Sequence, residues 1–110
     1  MKQDLLNTKV KFIRGFGDKT RIQILECIQN SEKTVSQIIE EVQASQSSVS
    51  QHLACLKECG LITNRQHGKY IYYSLSSEKI RLLLTMIDDV FAEVQTEVAC
   101  CDRHFEKVEE

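Results

Sequence analysis

The sequence predicts a mainly α-helical fold with one small β-hairpin. Apolar residues recur every three or four positions through most of the 110 residues, which is the period of an amphipathic helix. Between residues 62 and 75 the period changes to two, and this stretch is rich in residues that favour strands. Because the chain is short and contains no proline and no internal repeat, one domain over residues 1–110 is expected.

Five helices follow from the apolar spacing and from the residues that start and stop helices. Gly15 and Gly17 close the first helix, and Asp18 is placed to cap the second. Thr34 begins the third helix, where Gln37 can complete a capping box. The five predicted helices cover, in order, about 4–14, 18–30, 34–42, 46–59 and 77–99.

A helix-turn-helix followed by a β-hairpin is predicted in the middle of the chain. Residues 43–45 form a short break between the third and fourth helices, which is typical of a helix-turn-helix. Gly60 fits the position that follows a helix C-terminus. Strands are predicted at 62–65 and 70–75 with a turn between them, so the expected fold is a winged helix-turn-helix.

The first and last helices are expected to form a homodimer. The last helix carries more apolar residues along one side than so small a domain can cover, and the first helix adds to that surface. A two-fold dimer would place two fourth helices on a palindromic site in double-stranded DNA. The chain is therefore divided into an N-terminal dimer helix, a helix-turn-helix plus wing, a long dimer helix and a tail, at 1–17, 18–75, 76–99 and 100–110.

The fourth helix is the candidate DNA-reading element. Val49, Leu53 and Leu56 give it one apolar stripe, and short polar side chains near its N-terminus lie off that stripe, where a recognition helix meets base edges. In the wing, Arg65 and Lys69 are candidate contacts to the phosphate backbone. The candidate DNA-reading residues of the fourth helix are Gln46, Ser47, Ser48, Ser50, Gln51 and His52.

Composition and charge exclude several classes of function. The net charge of −2 argues against a non-specific nucleic-acid binder, although residues 1–22 and 43–75 carry local charges of +4 and +2. No apolar run is long enough to span a membrane and the N-terminus lacks a secretory signal, so a cytoplasmic protein is expected. Cys55 and His52 are within reach on one helix, but no orienting group or oxyanion motif accompanies them. That argues against an enzyme and against a small organic substrate.

The cysteines are expected to be reduced thiols, because a disulfide scaffold is unexpected in a chain without a secretory signal. Cys55 and Cys59 lie one turn apart on the fourth helix, so both thiols can reach one soft metal ion. Spacing alone leaves open that both are small apolar residues at the helix edge. Cys27 lies among apolar residues and is expected to be a core cysteine, while Cys100 and Cys101 fall in the tail.

Taken together, these features resemble the ArsR/SmtB family of winged-helix metal-sensing repressors. The resemblance covers about residues 8–99 and also implies the winged-helix fold and the homodimer. Its most specific parts are Gln46 through Leu53, Leu56, Gly60–Leu61 and Gly68 through Leu75.

Within the family, residues 52–61 are most similar to the cadmium- and lead-sensing, CmtR-like branch. The resemblance implies a repressor that releases its operator when Cd(II) or Pb(II) is held by two cysteines of the recognition helix and one from the other protomer's tail. On this chain those ligands would be Cys55, Cys59 and either Cys100 or Cys101. Metal and DNA would then each weaken the other's binding.

Three alternatives to Cd(II) or Pb(II) as the inducing signal remain. Arsenite or antimonite, as As(III) or Sb(III), also favours three thiolates. A redox or persulfide switch would join Cys27 to a tail cysteine, as the resemblance implies for some members of the family. Zn(II) prefers a closed tetrahedron and would need a fourth ligand such as His104 or Asp102. The ligand pattern that the zinc sensors carry on their last helix is matched here only at Asp88.

Overall fold

The computed structural model describes the backbone of residues 2–109 and the side chains of residues 2–97. It confirms the predicted winged helix-turn-helix, with five α-helices and one small antiparallel sheet. The elements in chain order are α1 (Lys2–Arg14), α2 (Lys19–Cys27), β1 (Lys33–Thr34), α3 (Val35–Val42), α4 (Gln46–Glu58), β2 (Ile62–His67), β3 (Tyr70–Leu75) and α5 (Glu78–Glu109).

Short-range sequence signals fix the starts of three helices. Asp18 caps α2, and its carboxylate accepts a hydrogen bond from a backbone N–H three residues on, at 3.1 Å. Thr34 and Gln37 form the predicted capping box at the start of α3, each side chain accepting from the other residue's backbone N–H. Ser45, predicted only as part of the break before α4, caps α4 in the same way as Asp18 caps α2.

The C-terminus of α4 is closed by a Schellman motif. Gly60 has a φ of 80°, as predicted for the residue that follows the C-cap. The backbone N–H of Leu61 donates to the carbonyl of Leu56 at 3.0 Å, and the N–H of Gly60 donates to that of Lys57 at 3.0 Å. Because Leu56 and Leu61 are both fully buried, the motif fixes the end of α4, where Cys59 is the C-cap residue, against the core.

The sheet has three strands in the order β1-β3-β2, all antiparallel. The short strand β1 was not predicted; it is only two residues long and depends on pairing with β3. Strand β2 extends to His67, beyond its predicted end, because a φ of 63° at Gly68 allows a tight turn. In the register, Tyr72 of β3 lies between Thr34 of β1 and Arg65 of β2.

The hydrophobic core joins α2, α3 and α4 to the base of the wing. It confirms the predicted apolar stripe of α4, and Leu84 adds α5 to the same cluster. The recognition helix is thus fixed on its inner side by three fully or nearly fully buried residues. The core residues are Ile24, Leu25, Ile28, Ile38, Val42, Val49, Leu53, Leu56, Leu61, Ile62 and Leu84.

Helix α5 is longer than predicted. The sequence predicted an end near Ala99 followed by a tail, but the helix continues to Glu109. No glycine or proline occurs between Ser77 and the last residue, so no residue in this stretch strongly disfavours helix. Within the described residues, no helix has an apolar stretch long enough to cross a lipid bilayer.

Candidate nucleic-acid interface and thiol pair

The outer edge of α4 presents most of the polar residues that the sequence predicted to read DNA. The side chains of Gln46, Ser47, Ser50 and Gln51 are exposed, and Ser48 is half-buried. The opposite side of the helix is anchored in the core, so the exposed residues are held on a rigid support. This arrangement suits insertion into a DNA major groove.

His52 differs from the other candidates because it faces α2. Its Nδ1 accepts a hydrogen bond from Nε of Arg21 at 3.3 Å, and its Nε2 lies 3.9 Å from a carboxylate oxygen of Asp18. Arg21 also donates to the backbone carbonyl of Arg14 at 3.2 Å. Arg21 therefore connects α1, α2 and α4, a role that no signal in the local sequence indicated. The predicted contact of His52 with DNA stays a prediction.

The wing carries cations that are already partnered. Nε of Arg65 donates to the carboxylate of Glu32 at 2.9 Å, and Nη2 donates to its second oxygen. The Arg65 guanidinium also lies 5.2 Å from the ring centroid of Tyr72. Lys69 at the wing tip lies 5.4 Å from the ring centroid of Tyr70. Sequence reasoning missed Glu32, which precedes Arg65 by 33 residues and contacts it only because of the fold.

Cys55 and Cys59 lie one turn apart at the C-terminal end of α4, where the backbone N–H of Cys59 donates to the carbonyl of Cys55 at 3.0 Å. Both cysteines are half-buried and neither is in a disulfide. Burial raises the pKa of the Cys59 thiol, and the neighbouring Cys55 raises that pKa further. The nearby charges of Lys11 on α1 and Arg21 on α2 act in the opposite direction. The pair thus lies where α4 approaches α1 and α2.

Two thiols are a partial ligand set for a soft metal ion. Thiolate sulfur suits soft ions, and the one-turn spacing of Cys55 and Cys59 allows both sulfurs to reach one ion. Among the side chains described, no group of three or more His, Cys, Asp or Glu residues is placed to hold a metal. A complete site would therefore need donors from elsewhere. The predicted tail ligands Cys100 and Cys101, and also Asp102 and His104, lie outside the residues whose side chains are described.

Cys27 occupies a separate environment on the other side of α2. It packs against the core cluster, as predicted, and its thiol donates a hydrogen bond to Glu41 at 2.9 Å. Glu41 also accepts a hydrogen bond from Lys33 at 2.6 Å. Burial, with the Glu41 hydrogen bond as the next cause, raises the pKa of the Cys27 thiol to about 12. This thiol is therefore held in its protonated form.

A large apolar surface remains uncovered on α1 and α5. Five residues of α5 form a shallow apolar groove, and α1 exposes a second row of aliphatic side chains. Leu5 is 72% exposed and Phe91 is 52% exposed, which is unusual for residues of this size on a surface that stays in water. The groove residues are Met86, Ile87, Val90, Phe91 and Val94.

Comparison with known proteins places this architecture in one family. Residues 18–64 match the model of the family described as "Bacterial regulatory protein, arsR family". The chain is 32% identical over 97 residues to the "Probable mercury resistance operon repressor" of Streptomyces lividans, covering 88% of this chain and 78% of that protein. It is 39% identical over 82 residues to the "HTH-type transcriptional regulator KmtR" of Mycobacterium tuberculosis, covering 74% of this chain and 62% of that protein.

The solution structure of the winged helix-turn-helix DNA-binding domain of Mb0332 from Mycobacterium bovis is similar in fold. It superposes with a TM-score of 0.76 at 26% identity, covering 87% of this chain and 88% of that domain, which is described as homodimeric. Family match, sequence identity and fold agree, and the exposed polar edge of α4 lies within the matched segment. The chain belongs to the arsR family of bacterial regulatory proteins and is a winged helix-turn-helix transcriptional regulator that binds DNA.

Proposed function

We propose that this protein is a metal-responsive repressor that binds operator DNA as a homodimer and releases it when a soft metal ion binds. Cd(II) or Pb(II) is the proposed inducer, held by Cys55 and Cys59 with Cys100 or Cys101 of the other protomer. The observation that carries the proposal is the position of two half-buried cysteines one turn apart at the end of the recognition helix, where the backbone N–H of Cys59 donates to the carbonyl of Cys55 at 3.0 Å. The mercury-related name of the Streptomyces lividans relative supports repression and a soft ion.

The DNA-binding part of the proposal rests on α4 and the wing. Gln46, Ser47, Ser50 and Gln51 form an exposed edge on a helix whose other side is buried. Lys69 at the wing tip and Arg65 behind it are the proposed phosphate contacts. Homodimerisation through the apolar surfaces of α1 and α5 would place two such helices on the two halves of a palindromic operator.

The identity of the ion follows from the donors. Two thiolates from one helix and a third from a tail make an open, all-sulfur site that suits large, soft ions. Zn(II) would require a fourth ligand to complete its preferred tetrahedron. Arsenite, which also favours three thiolates, is the nearest competitor. Hg(II) joins the ions to be tested because two thiolates are enough to bind it.

Metal and DNA would be coupled through the end of α4. The thiol pair lies at the end of the helix whose N-terminal half reads DNA, next to α1 of the proposed dimer surface. A metal that draws a tail from the other protomer onto this point would change how the two recognition helices are held. DNA and metal would then favour different states of the dimer, with each weakening the other's binding by the same factor.

A redox switch between Cys27 and a tail cysteine is less well supported by the contacts of Cys27. Thiol oxidation and exchange proceed through the thiolate. The thiol of Cys27 donates to Glu41, and its pKa is raised to about 12, so its thiolate is strongly disfavoured at neutral pH. Cys27 therefore serves as a control in the test of the metal site.

The proposal is tested by fluorescence anisotropy of a labelled duplex that the wild-type protein selects from a random-sequence library. Cd(II), Pb(II), Zn(II), Hg(II) and arsenite are titrated in the presence of reductant. We expect Cd(II) or Pb(II) to weaken DNA binding of the wild type by about 5- to 150-fold, the usual range of allosteric coupling. The proposal is wrong if no ion changes the affinity.

Cysteine variants assign the ligands in the same assay. Cys55→Ser and Cys59→Ser should bind the duplex normally but lose the response to metal. Cys27→Ser is the matched control, because it removes a thiol outside the pair, and it should respond like the wild type. Cys100→Ser and Cys101→Ser decide which tail thiol is the third ligand. A response that needs Cys27 but survives loss of Cys55 would favour the redox switch instead.

A further inference from the structure

The most informative contact outside the thiol pair is the ion pair between Glu32 and Arg65. Arg65 uses Nε and Nη2 to donate to the two carboxylate oxygens of Glu32, which is the fork geometry of a strong arginine–carboxylate pair. The side chain of Arg65 is 55% exposed and that of Glu32 is 34% exposed. The pair is therefore accessible to an incoming anion.

The sheet holds the pair in place. Arg65 lies opposite Tyr72 in the register, and the Tyr72 ring lies 5.2 Å from the guanidinium. Glu32 directly precedes β1, which pairs with the other edge of β3, so the carboxylate reaches Arg65 across Tyr72. The hydrogen bonds from Arg65 lower the pKa of the Glu32 carboxyl, and the charge of Arg65 lowers it further. Glu32 is thus ionised and paired with a cation of the wing.

Glu32 brings a negative charge to a wing that has no acidic residue of its own. Residues 61–75 contain Arg65 and Lys69 and no acidic residue. A DNA phosphate presents the same kind of acceptor as a carboxylate, so phosphate and Glu32 compete for one guanidinium. An arginine that is neutralised within the protein also contributes little to phosphate neutralisation and to the release of counterions from DNA.

We propose that Glu32 is an intramolecular competitor of DNA phosphate at the wing and thereby sets the affinity of the protein for DNA. The carboxylate occupies Arg65 in the free protein and repels phosphate next to it. The affinity of the protein for DNA is consequently lower than the cations of the wing alone would give. The protein–DNA complex then stays weak enough for an inducer to dissociate it. This inference rests on the proposed binding of DNA by α4 and the wing.

The test removes the charge of Glu32 while keeping its shape. Glu32→Gln is compared with wild type by anisotropy on the selected duplex and on a random-sequence duplex of equal length, over a range of salt concentrations. At low salt the variant should bind both duplexes about 3- to 10-fold more tightly, with a log–log salt slope steeper by about one per phosphate gained. Equal gains on both duplexes are expected because phosphate contacts are independent of sequence.

The chain offers a matched control. Glu78 forms an ion pair of the same two-pronged kind with Arg81, at the start of α5 and outside the wing. Glu78→Gln makes the same change in net charge and should leave DNA affinity and salt slope as in wild type. If Glu78→Gln strengthens binding as much as Glu32→Gln does, the effect is one of total charge and the inference is overturned.

A double-mutant cycle of Glu32→Gln and Arg65→Gln keeps the inference testable even if one single variant misfolds. Arg65→Gln should weaken DNA binding only slightly in the wild-type background, where Glu32 already occupies the guanidinium. In the Glu32→Gln background it should abolish the whole gain in affinity. If Glu32→Gln weakens or does not change binding while thermal unfolding is unchanged, Glu32 is not a competitor. Failure of wild-type protein to bind any duplex would instead overturn the proposed function.

Discussion

Cys27 illustrates how a single contact decides the chemistry of a thiol. Its sulfur donates to Glu41, and the same carboxylate accepts from Lys33, so the three side chains link α2, β1 and α3. Burial and the adjacent carboxylate both disfavour a negative charge on sulfur. Cys55 and Cys59 instead lie one turn apart, and the charges of Lys11 on α1 and Arg21 on α2 favour the thiolate of Cys59. Cys27 thus lies in a structural environment, whereas Cys55 and Cys59 lie in a candidate metal-sensing environment.

The raised pKa of Cys27 predicts a loss of stability in alkaline solution. An ordinary thiol has a pKa of 9.0, whereas burial and the Glu41 hydrogen bond raise the pKa of Cys27 to about 12 in the folded protein. The folded state holds the proton more tightly, so the stabilisation is complete below about pH 9 and is lost as pH rises toward 12.

Urea unfolding of wild type and Cys27→Ser at several pH values measures this effect. Serine keeps a hydroxyl donor for Glu41 but does not titrate in this range. We expect the free energy of unfolding of wild type to fall more steeply than that of the variant above about pH 9. If the free energies of unfolding of the two proteins fall in parallel with pH, the pKa of Cys27 is not raised in the folded protein.

At the scale of single elements, short-range signals in the sequence predicted the structure well. The capping box at Thr34 and Gln37 and the left-handed residue at Gly60 depend on residues within a few positions of each other, and all are confirmed. The apolar stripe of α4 is likewise confirmed as buried. Periodicity and capping act locally, so one sequence is enough to predict them.

Contacts between distant segments escaped prediction. The strand at Lys33–Thr34 exists because β3 pairs with it, and its two residues carry no strand pattern of their own. His52 is turned toward α2 by Arg21, which lies 31 positions earlier, and Arg65 is occupied by Glu32. The candidate site could be predicted as a set of residues on α4 and the wing. The partners that orient those residues could not, because the fold alone brings them together.

Gly15 gives a prediction about the connection between α1 and α2. A Cβ added there would lie 2.5 Å from Cδ1 of Leu61 and 3.2 Å from the carbonyl oxygen of Phe12. Leu61 is fully buried and part of the motif that ends α4, so it has little room to move. Gly15→Ala is therefore expected to destabilise the protein by about 1–3 kcal/mol, the usual range for overpacking a core.

Gly17 is the matched control for Gly15. It lies in the same connection, also without a positive φ, and a Cβ there would meet only the carbonyl oxygen of Arg14 at 3.7 Å, an ordinary contact. Gly17→Ala should change the free energy of unfolding by less than about 0.5 kcal/mol. Chemical unfolding of both variants at equal protein concentration measures the difference. Equal effects would show that the close approach to Leu61 is not the cause.

For the whole molecule, the decisive feature is the apolar surface of α1 and α5. The core of the wing and helix-turn-helix is formed within one chain, and among the described side chains of α5 only Leu84 is fully part of it. The α5 groove from Met86 to Val94 remains exposed, as does the aliphatic row on α1. An apolar surface of this kind is the usual mark of an interface, which agrees with the proposed homodimer.

The homodimer predicts opposite outcomes for two neighbouring substitutions on α5. Phe91→Glu places a charge in the groove, where a partner would have to bury it without a counter-charge. Ala92 is exposed and lies two positions, about 200° of helix rotation, from both Val90 and Val94. Ala92→Glu therefore adds the same charge on the opposite face of the same helix.

Sedimentation velocity measures the oligomeric state of each variant, and DNA anisotropy measures its affinity for DNA. Phe91→Glu should sediment as a monomer and lose about 100-fold or more in affinity for a palindromic duplex, because two half-sites are no longer bound by one linked pair. Ala92→Glu should remain a dimer with wild-type affinity. If Phe91→Glu stays dimeric, the α5 groove is not the dimer surface. The dimer would then form through another surface, and a third ligand from the other protomer would have to reach Cys55 and Cys59 across that surface.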